Sequence, residues 1–273
     1  MASTSTPWAG ADKLLACDLD GTLIPPAELA GDGGIAELRR ALAERTGIAV
    51  AYVTGRSRSL ALDGIARHEL PAPKVLVCDV GTSVFVAEGD AYVPDPAYRE
   101  LMLEALDGAE TSHARAVLAG LPGLALQEDE QQTEFKLSYY VPHDHLGEEL
   151  AARTRELLEG IGRFNVVHSV DPHARQGLLD VLPAGVAKDV AVRYLHDRFG
   201  VHEDDLVYAG DSGNDVAAML SGFRVIVVGN ATDALKERVR TGAHGLGIGE
   251  RVHFAEASYA AGALEGCRRF GVL

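Results

Sequence analysis

Apolar residues recur along the chain in two alternating rhythms. Residues 13–19 (KLLACDL), 47–53 (GIAVAYV) and 74–80 (KVLVCDV) are continuously apolar or β-branched, the pattern of strands buried on both faces. Between them, 35–45 (IAELRRALAER) and 57–70 (SRSLALDGIARHEL) place apolar residues at helical spacing. This βαβαβ order predicts a parallel sheet with right-handed crossovers. The alternation returns near the end of the chain. There LLDVLP (178–183), DLVYAG (205–210) and FRVIVVGN (223–230) interleave with VAKDVAVRYLHDRF (186–199) and NDVAAMLSG (214–222).

The middle of the chain breaks this rhythm. VFVAEGDAYV (84–93) reads as a hairpin turning at Glu88-Gly89-Asp90. EFKLSYYVP (134–142) alternates as a half-buried strand does, and HLGEELAARTRELLEG (145–160) is a long amphipathic helix. The expected fold is therefore α/β. A Rossmann-like parallel-sheet core forms from residues 1–83 and 181–273, and an inserted α+β module spans 84–180. No repeats, low-complexity tracts or long linkers interrupt it.

In open α/β sheets ligands bind at the carboxyl ends of the strands, so those ends carry the candidate chemistry. Asp18-Leu19-Asp20-Gly21-Thr22 follows the first strand and Thr54-Gly55-Arg56-Ser57 the second. Lys188 stands at the head of a later helix, and Gly210-Asp211-Ser212-Gly213-Asn214-Asp215 follows the next strand. Each cluster has a plain structural explanation. Asp-Gly makes turns, acids at a helix start cap amides and complement the dipole, and Thr54 would serve as an N-cap. Lys188 resists that treatment, because a lysine in the first turn opposes the dipole. All four clusters at strand tips, in this order, argue for a shared site.

DLDGT, TGRS, the lone lysine before a helix and GDSGND resemble the four motifs of the haloacid dehalogenase superfamily of phosphatases, and the resemblance covers nearly the whole chain. The insert between the second and third motifs is similar to a type IIB cap. FKLSYYVP, LLDVLPAGVAKDVAVRYL, GDSGNDVAAML and FAEASYAAGALEG resemble sucrose-phosphate phosphatases and relatives such as mannosylfructose-phosphate and kanosamine-phosphate phosphatases. One departure is Asp189, where many relatives carry glycine or another small residue after the lysine; it reads as a helix-start acid.

The resemblance implies a mechanism. Asp18 is the nucleophile that forms an aspartyl-phosphate, and Asp20 is the acid and base for the leaving oxygen and the water. Thr54, the Gly55 amide and Lys188 hold phosphate oxygens, with Asn214 orienting Lys188. Carboxylates facing a dianionic phosphate repel it. A like-charged pair at about 4 Å and an effective dielectric near 20 costs about 4 kcal/mol. A divalent cation is required, and hard oxygen ligands point to Mg²⁺. Asp18, the Asp20 carbonyl and Asp211 are the implied ligands, with Asp215 in the shell around them.

Specificity is expected from the insert. Lys136 and Ser138 share a strand face, which either looks inward to bind sugar hydroxyls or lies in solvent. Asp180 sits where the insert returns to the core and is expected to touch sugar. Gly81 and Thr82 read as hinge and pocket residues of a module that closes over substrate. Phe135, Tyr139 and Tyr140 read as cap packing, with stacking on a sugar as the alternative for Tyr139 or Tyr140. His143, His145, His168 and His173 match no usual zinc spacing.

Composition narrows the function further. The 273 residues are 47% hydrophobic, enough for a well-buried core, and carry a formal charge of −15. Such a chain is repelled by nucleic acid and by anionic membrane surfaces, so neither is an expected partner. Cys17, Cys78 and Cys267 lack disulfide or zinc spacing, which fits a reduced, cytoplasmic setting. The N-terminal MASTSTPWAGADK has no apolar core and reads as a frayed tail. The leading expectation is a Mg²⁺-dependent phosphatase for a sucrose-6-phosphate-like disaccharide phosphate or an amino sugar phosphate. The alternatives are a phosphomutase-like phosphotransferase and a non-catalytic partner of a glycosyltransferase or sugar-phosphate synthase. Retention of Asp18, Asp20 and Asp211 argues against the last.

Overall fold

The computed structural model describes residues 10–29, 31–171 and 176–273; the N-terminal tail through residue 9 and His173 lie outside them. The chain divides into two compact units, one formed by residues through Pro94 and from Ala187 onward, the other by Asp95–Val186.

The first unit begins with β1 (Lys13–Cys17), α1 (Ile35–Ala43), β2 (Ile48–Val53), α2 (Arg58–Arg67) and β3 (Val75–Cys78), followed by β4 (Ser83–Glu88) and β5 (Ala91–Pro94). The second unit supplies α3 (Pro96–Leu106), α4 (Thr111–Leu118), β6 (Ala125–Leu126), β7 (Leu137–Val141), α5 (His145–Leu158), β8 (Phe164–Asp171) and β9 (Gln176–Pro183). The first unit then resumes with α6 (Lys188–Phe199), β10 (Leu206–Gly210), α7 (Val216–Met219), β11 (Arg224–Val227), α8 (Asp233–Gly245), β12 (Val252–Phe254) and α9 (Tyr259–Arg269).

The core sheet runs β12-β11-β10-β1-β2-β3-β4-β5. It is parallel from β12 to β3, and β4 and β5 extend it antiparallel. Apart from the first residues of β1, β2 and β11, its central strands are buried, because mainly Leu, Val, Ala and Ile fill both of their faces. α1 contributes Ile35 and Leu38 to this core, and α9 contributes Ala263, Leu264 and Cys267. The three cysteines are buried and no disulfide links them. Among the described residues no helix is long and apolar enough to cross a membrane.

Two expectations change. The hairpin at 84–93 does not open the inserted module. Val84 and Val86 of β4 are buried against β3, so the hairpin extends the core sheet and the unit boundary falls after Pro94 rather than at 83/84. LLDVLP is not a core strand either. As β9 it pairs antiparallel with β7 and β8 in the sheet β6-β7-β9-β8, which moves the second boundary from 180/181 to 186/187. Its apolar run reflects the second unit's own core, where Leu179 and Val181 pack with Leu118, Tyr139 and Val141.

The segment KVLVCDV also ends early. After Cys78, Asp79 (φ 55°), Val80 (φ 59°) and Gly81 (φ 96°) are consecutively left-handed. A β-branched residue there costs about 1–2 kcal/mol. Val80 N donates to Thr54 O (3.2 Å) and Asp79 N to Arg56 O (2.9 Å), so this turn fixes the backbone beyond β2. A side chain on Gly81 would meet the Ala187 carbonyl oxygen at 2.8 Å, which brings the turn against the head of α6.

Candidate active site

Strands β10, β1 and β2 are neighbours, so their carboxyl ends share one rim of the core sheet. Asp18 lies just past β1, its amide bonded to Ala209 O at 3.0 Å and its side chain buried. Lys188 opens α6 and is fully buried. Its Nζ lies 2.9 Å from Asp18 Oδ1 and 2.7 Å from Asp215 Oδ1. Asp215 Oδ1 also accepts from Tyr208 Oη at 2.6 Å, while Oδ2 accepts from Asp211 N, Ser212 N and Ser212 Oγ at 3.1, 3.0 and 3.2 Å. Asp211 Oδ1 accepts from Thr22 Oγ1 at 2.8 Å. Oxygens of Asp18, Asp211 and Asp215 all come within 4.8 Å of one another. Thr54, at the tip of β2, is fully buried, and its Oγ1 accepts from Arg56 N at 3.2 Å. Asp20 stands apart in exposure, its side chain 53% accessible and gripped by Arg56 through Nη2–Oδ1 (2.5 Å) and Nε–Oδ2 (2.7 Å).

The family model for sucrose-6F-phosphate phosphohydrolase matches residues 11–271. The chain belongs to that family. A HAD-like hydrolase of Nitrosococcus oceani is 35% identical over 228 residues, 82% of this chain. The chain spans 61% of that relative's length. The mannosylfructose-phosphate phosphatase of Agrobacterium fabrum is 26% identical over 95% of this chain and 97% of its own. A crystal structure of the sucrose-phosphatase of Synechocystis in complex with sucrose and phosphate superposes with a TM-score of 0.76 at 25% identity, covering 96% of this chain and 98% of that one.

In this member of the phosphohydrolase family the acids crowd together. Burial pushes the Asp18 carboxyl well up. The Lys188 ammonium opposes that rise, and the charges of Asp215, Asp211 and Asp20 add to it. Burial and the Asp215 charge push Asp211 up to about 7. Burial also works against charge on Asp215, yet Lys188, Tyr208 and the Ser212 amide hold it below the usual carboxylate range. Asp18 and Asp211 thus lack a full counter-charge, and the shortfall together with the hard-oxygen donor set fits a divalent cation. Both Asp215 oxygens are committed to protein donors, which suits orientation from the shell rather than direct ligation.

Several expectations need correcting. Lys188 is aimed by Asp215 and Asp18, whereas Asn214 Oδ1 accepts from Ser212 Oγ at 2.9 Å. Ser57, not Thr54, sits at the N-cap of α2. Thr82 is buried and its hydroxyl donates to Asp79 O at 2.9 Å, closing the left-handed turn. Asp189 is half-buried in the first turn of α6, as a helix-start acid should be.

Sequence reading passed over Arg56, Thr22, Tyr208 and Asn230. Arg56 and Thr22 lay inside the quoted motifs and had a signal: each neighbours an acid of another strand tip. Asn230 donates to Gly21 O at 2.7 Å and accepts from Tyr259 N at 2.9 Å, tying the first loop to α9. Only the fold shows that pairing.

In the second unit, Lys136 and Ser138 are buried, so their strand face is not solvated. Ser138 stands opposite Asp180 in the β7–β9 ladder and donates to Asp180 Oδ1 at 2.6 Å. Burial raises the Asp180 carboxyl; Lys136 and Ser138 partly offset that. Phe135 and Tyr139 are buried as packing residues, while Tyr140 reaches out to Glu128 at 2.9 Å.

Proposed function

We propose that the protein is a Mg²⁺-dependent phosphatase of a sugar phosphate, either a disaccharide phosphate or an amino sugar phosphate. The observation that carries the reading is the cluster of buried Asp18, Lys188 and Asp215 with half-buried Asp211 at one sheet rim. Asp18, Asp211 and the Asp20 carbonyl would hold the cation, which supplies charge neutralisation for the carboxylates and the incoming phosphate. An Asp18 carboxylate oxygen attacks phosphorus, the bond from phosphorus to the sugar oxygen breaks, and Asp20 gives that oxygen a proton. Water then attacks phosphorus of the aspartyl-phosphate, Asp20 takes its proton, and orthophosphate leaves with Asp18 restored. Lys188, Thr54 and the Gly55 amide bind the phosphoryl oxygens and stabilise the charge that develops on them. Arg56 anchors the Asp20 carboxylate through the transfer. In the insert, Lys136, Ser138 and Asp180 are the proposed sugar-reading groups. The family relationship to disaccharide phosphatases supports the substrate class.

The deciding experiment measures orthophosphate release from a panel of mono- and disaccharide phosphates by the parent and by Asp18→Asn. Turnover is expected from the parent without a bisphosphate activator, and none from the variant, whose circular dichroism should be unchanged. A variant that hydrolyses at the parental rate removes Asp18 as nucleophile.

A further inference from the structure

Tyr208 occupies the middle of β10, a strand buried along its whole length. A valine or phenylalanine would satisfy that packing; a buried phenol also needs an acceptor. Here the acceptor is no backbone carbonyl but Asp215 Oδ1, at 2.6 Å, a charge-assisted length. That same oxygen receives Lys188 Nζ at 2.7 Å. Asp215 is therefore pinned from two sides, with Oδ2 on the amides of Asp211 and Ser212 and Oδ1 on the strand through Tyr208.

We propose that Tyr208 is a positioning residue for phosphate binding: by occupying Asp215 Oδ1 it keeps Lys188 shared between Asp215 and Asp18. The inference rests on the phosphatase reading above. An ammonium has three donors. Asp215 takes one of them as a hydrogen bond, while buried Asp18 Oδ1, which no hydrogen bond satisfies, faces the same ammonium as an ion pair at 2.9 Å; donor capacity is therefore left over for a phosphoryl oxygen. Without the phenol, Asp215 draws more of its compensation from Lys188, and the lysine retreats from the ligand. Tyr52 in β2 provides the contrast. It is equally buried, but its hydroxyl goes to Pro71 O at 2.9 Å and touches no carboxylate.

The test compares Tyr208→Phe with Tyr52→Phe and the parent, all with Mg²⁺ present. Readouts are kcat, KM, the inhibition constant of orthophosphate and the rise in melting temperature that orthophosphate produces. Tyr208→Phe is expected to raise KM and the orthophosphate constant roughly ten-fold, the scale of one hydrogen bond to a charged group, and to shrink the orthophosphate-induced rise. Tyr52→Phe should lower the melting temperature and leave phosphate affinity at the parental value. Parental phosphate affinity in Tyr208→Phe overturns the proposal. So does a Tyr208→Phe chain that fails to fold while Tyr52→Phe folds, since the hydroxyl would then be structural. Asp18→Asn assayed alongside separates the two readings: turnover there defeats the nucleophile assignment, whereas the orthophosphate melting shift still reports on Tyr208.

Discussion

Gly21 is left-handed (φ 74°), and a Cβ built on it would lie 2.3 Å from Asp211 Oδ2. An ordinary side chain there meets both a backbone strain and a carboxylate it must displace. Asn230 holds the Gly21 carbonyl, so the loop has little room to yield. Gly21→Ala is expected to shift Asp211 and raise the Mg²⁺ concentration for half-maximal activity by about ten-fold or more, the range seen when a ligand's support is disturbed. A cation titration of turnover measures this, and an unchanged midpoint would show that Asp211 does not bind the ion.

Strand β7 and its flanking lysine illustrate what an element adds to its residues. Lys136, Ser138 and Asp180 gather because antiparallel pairing sets Ser138 opposite Asp180 and the two-residue period puts Lys136 on the same face as Ser138. Lys136→Ala is expected to raise KM for the sugar phosphate roughly ten-fold while leaving KM for an aryl phosphate nearly unchanged, as loss of a charged hydrogen bond to sugar requires. Equal effects on both substrates would exclude sugar reading by this lysine. The elements of the core were largely legible, because doubly buried strands and amphipathic helices carry distinct periods. The tips were legible too, since Asp18 and Asp211 follow from strand ends, and Lys188 stood out as a first-turn lysine that opposes its helix dipole. What escaped was partnership. Nothing in DLVYAG announces that Tyr208 reaches a carboxylate seven residues on, and nothing in EGDAY announces that the hairpin pairs with β3. LLDVLP was misplaced because a run of apolar residues fits a strand in either sheet.

For the molecule as a whole, the crowded acids couple stability to pH. Asp211 in the fold titrates at about 7, above the ordinary 3.8. Between those values the folded chain keeps a proton that the unfolded chain gives up, so cation-free stability falls as pH rises from about 4 to about 7. A divalent cation held by Asp211, as proposed, would replace that proton. The gain in melting temperature on adding Mg²⁺ is therefore expected to be larger at pH 8 than at pH 5.5, and binding below pH 7 should release protons into the buffer. Calorimetry in buffers of different ionisation heat, with melting curves at both pH values, checks the pair. Identical gains at both would contradict the coupling. The position of the boundaries has a different consequence, for how such chains recombine. Because β4 and β5 complete the core sheet, crossovers at 94/95 and 186/187 exchange a whole insert and leave every core ladder closed. Crossovers at 83/84 would instead replace β4 and β5 along with the insert, and a donor without that hairpin would leave β3 as a raw sheet edge open to aggregation. Domain shuffling among relatives with unlike inserts should carry its scars at the first pair of joints.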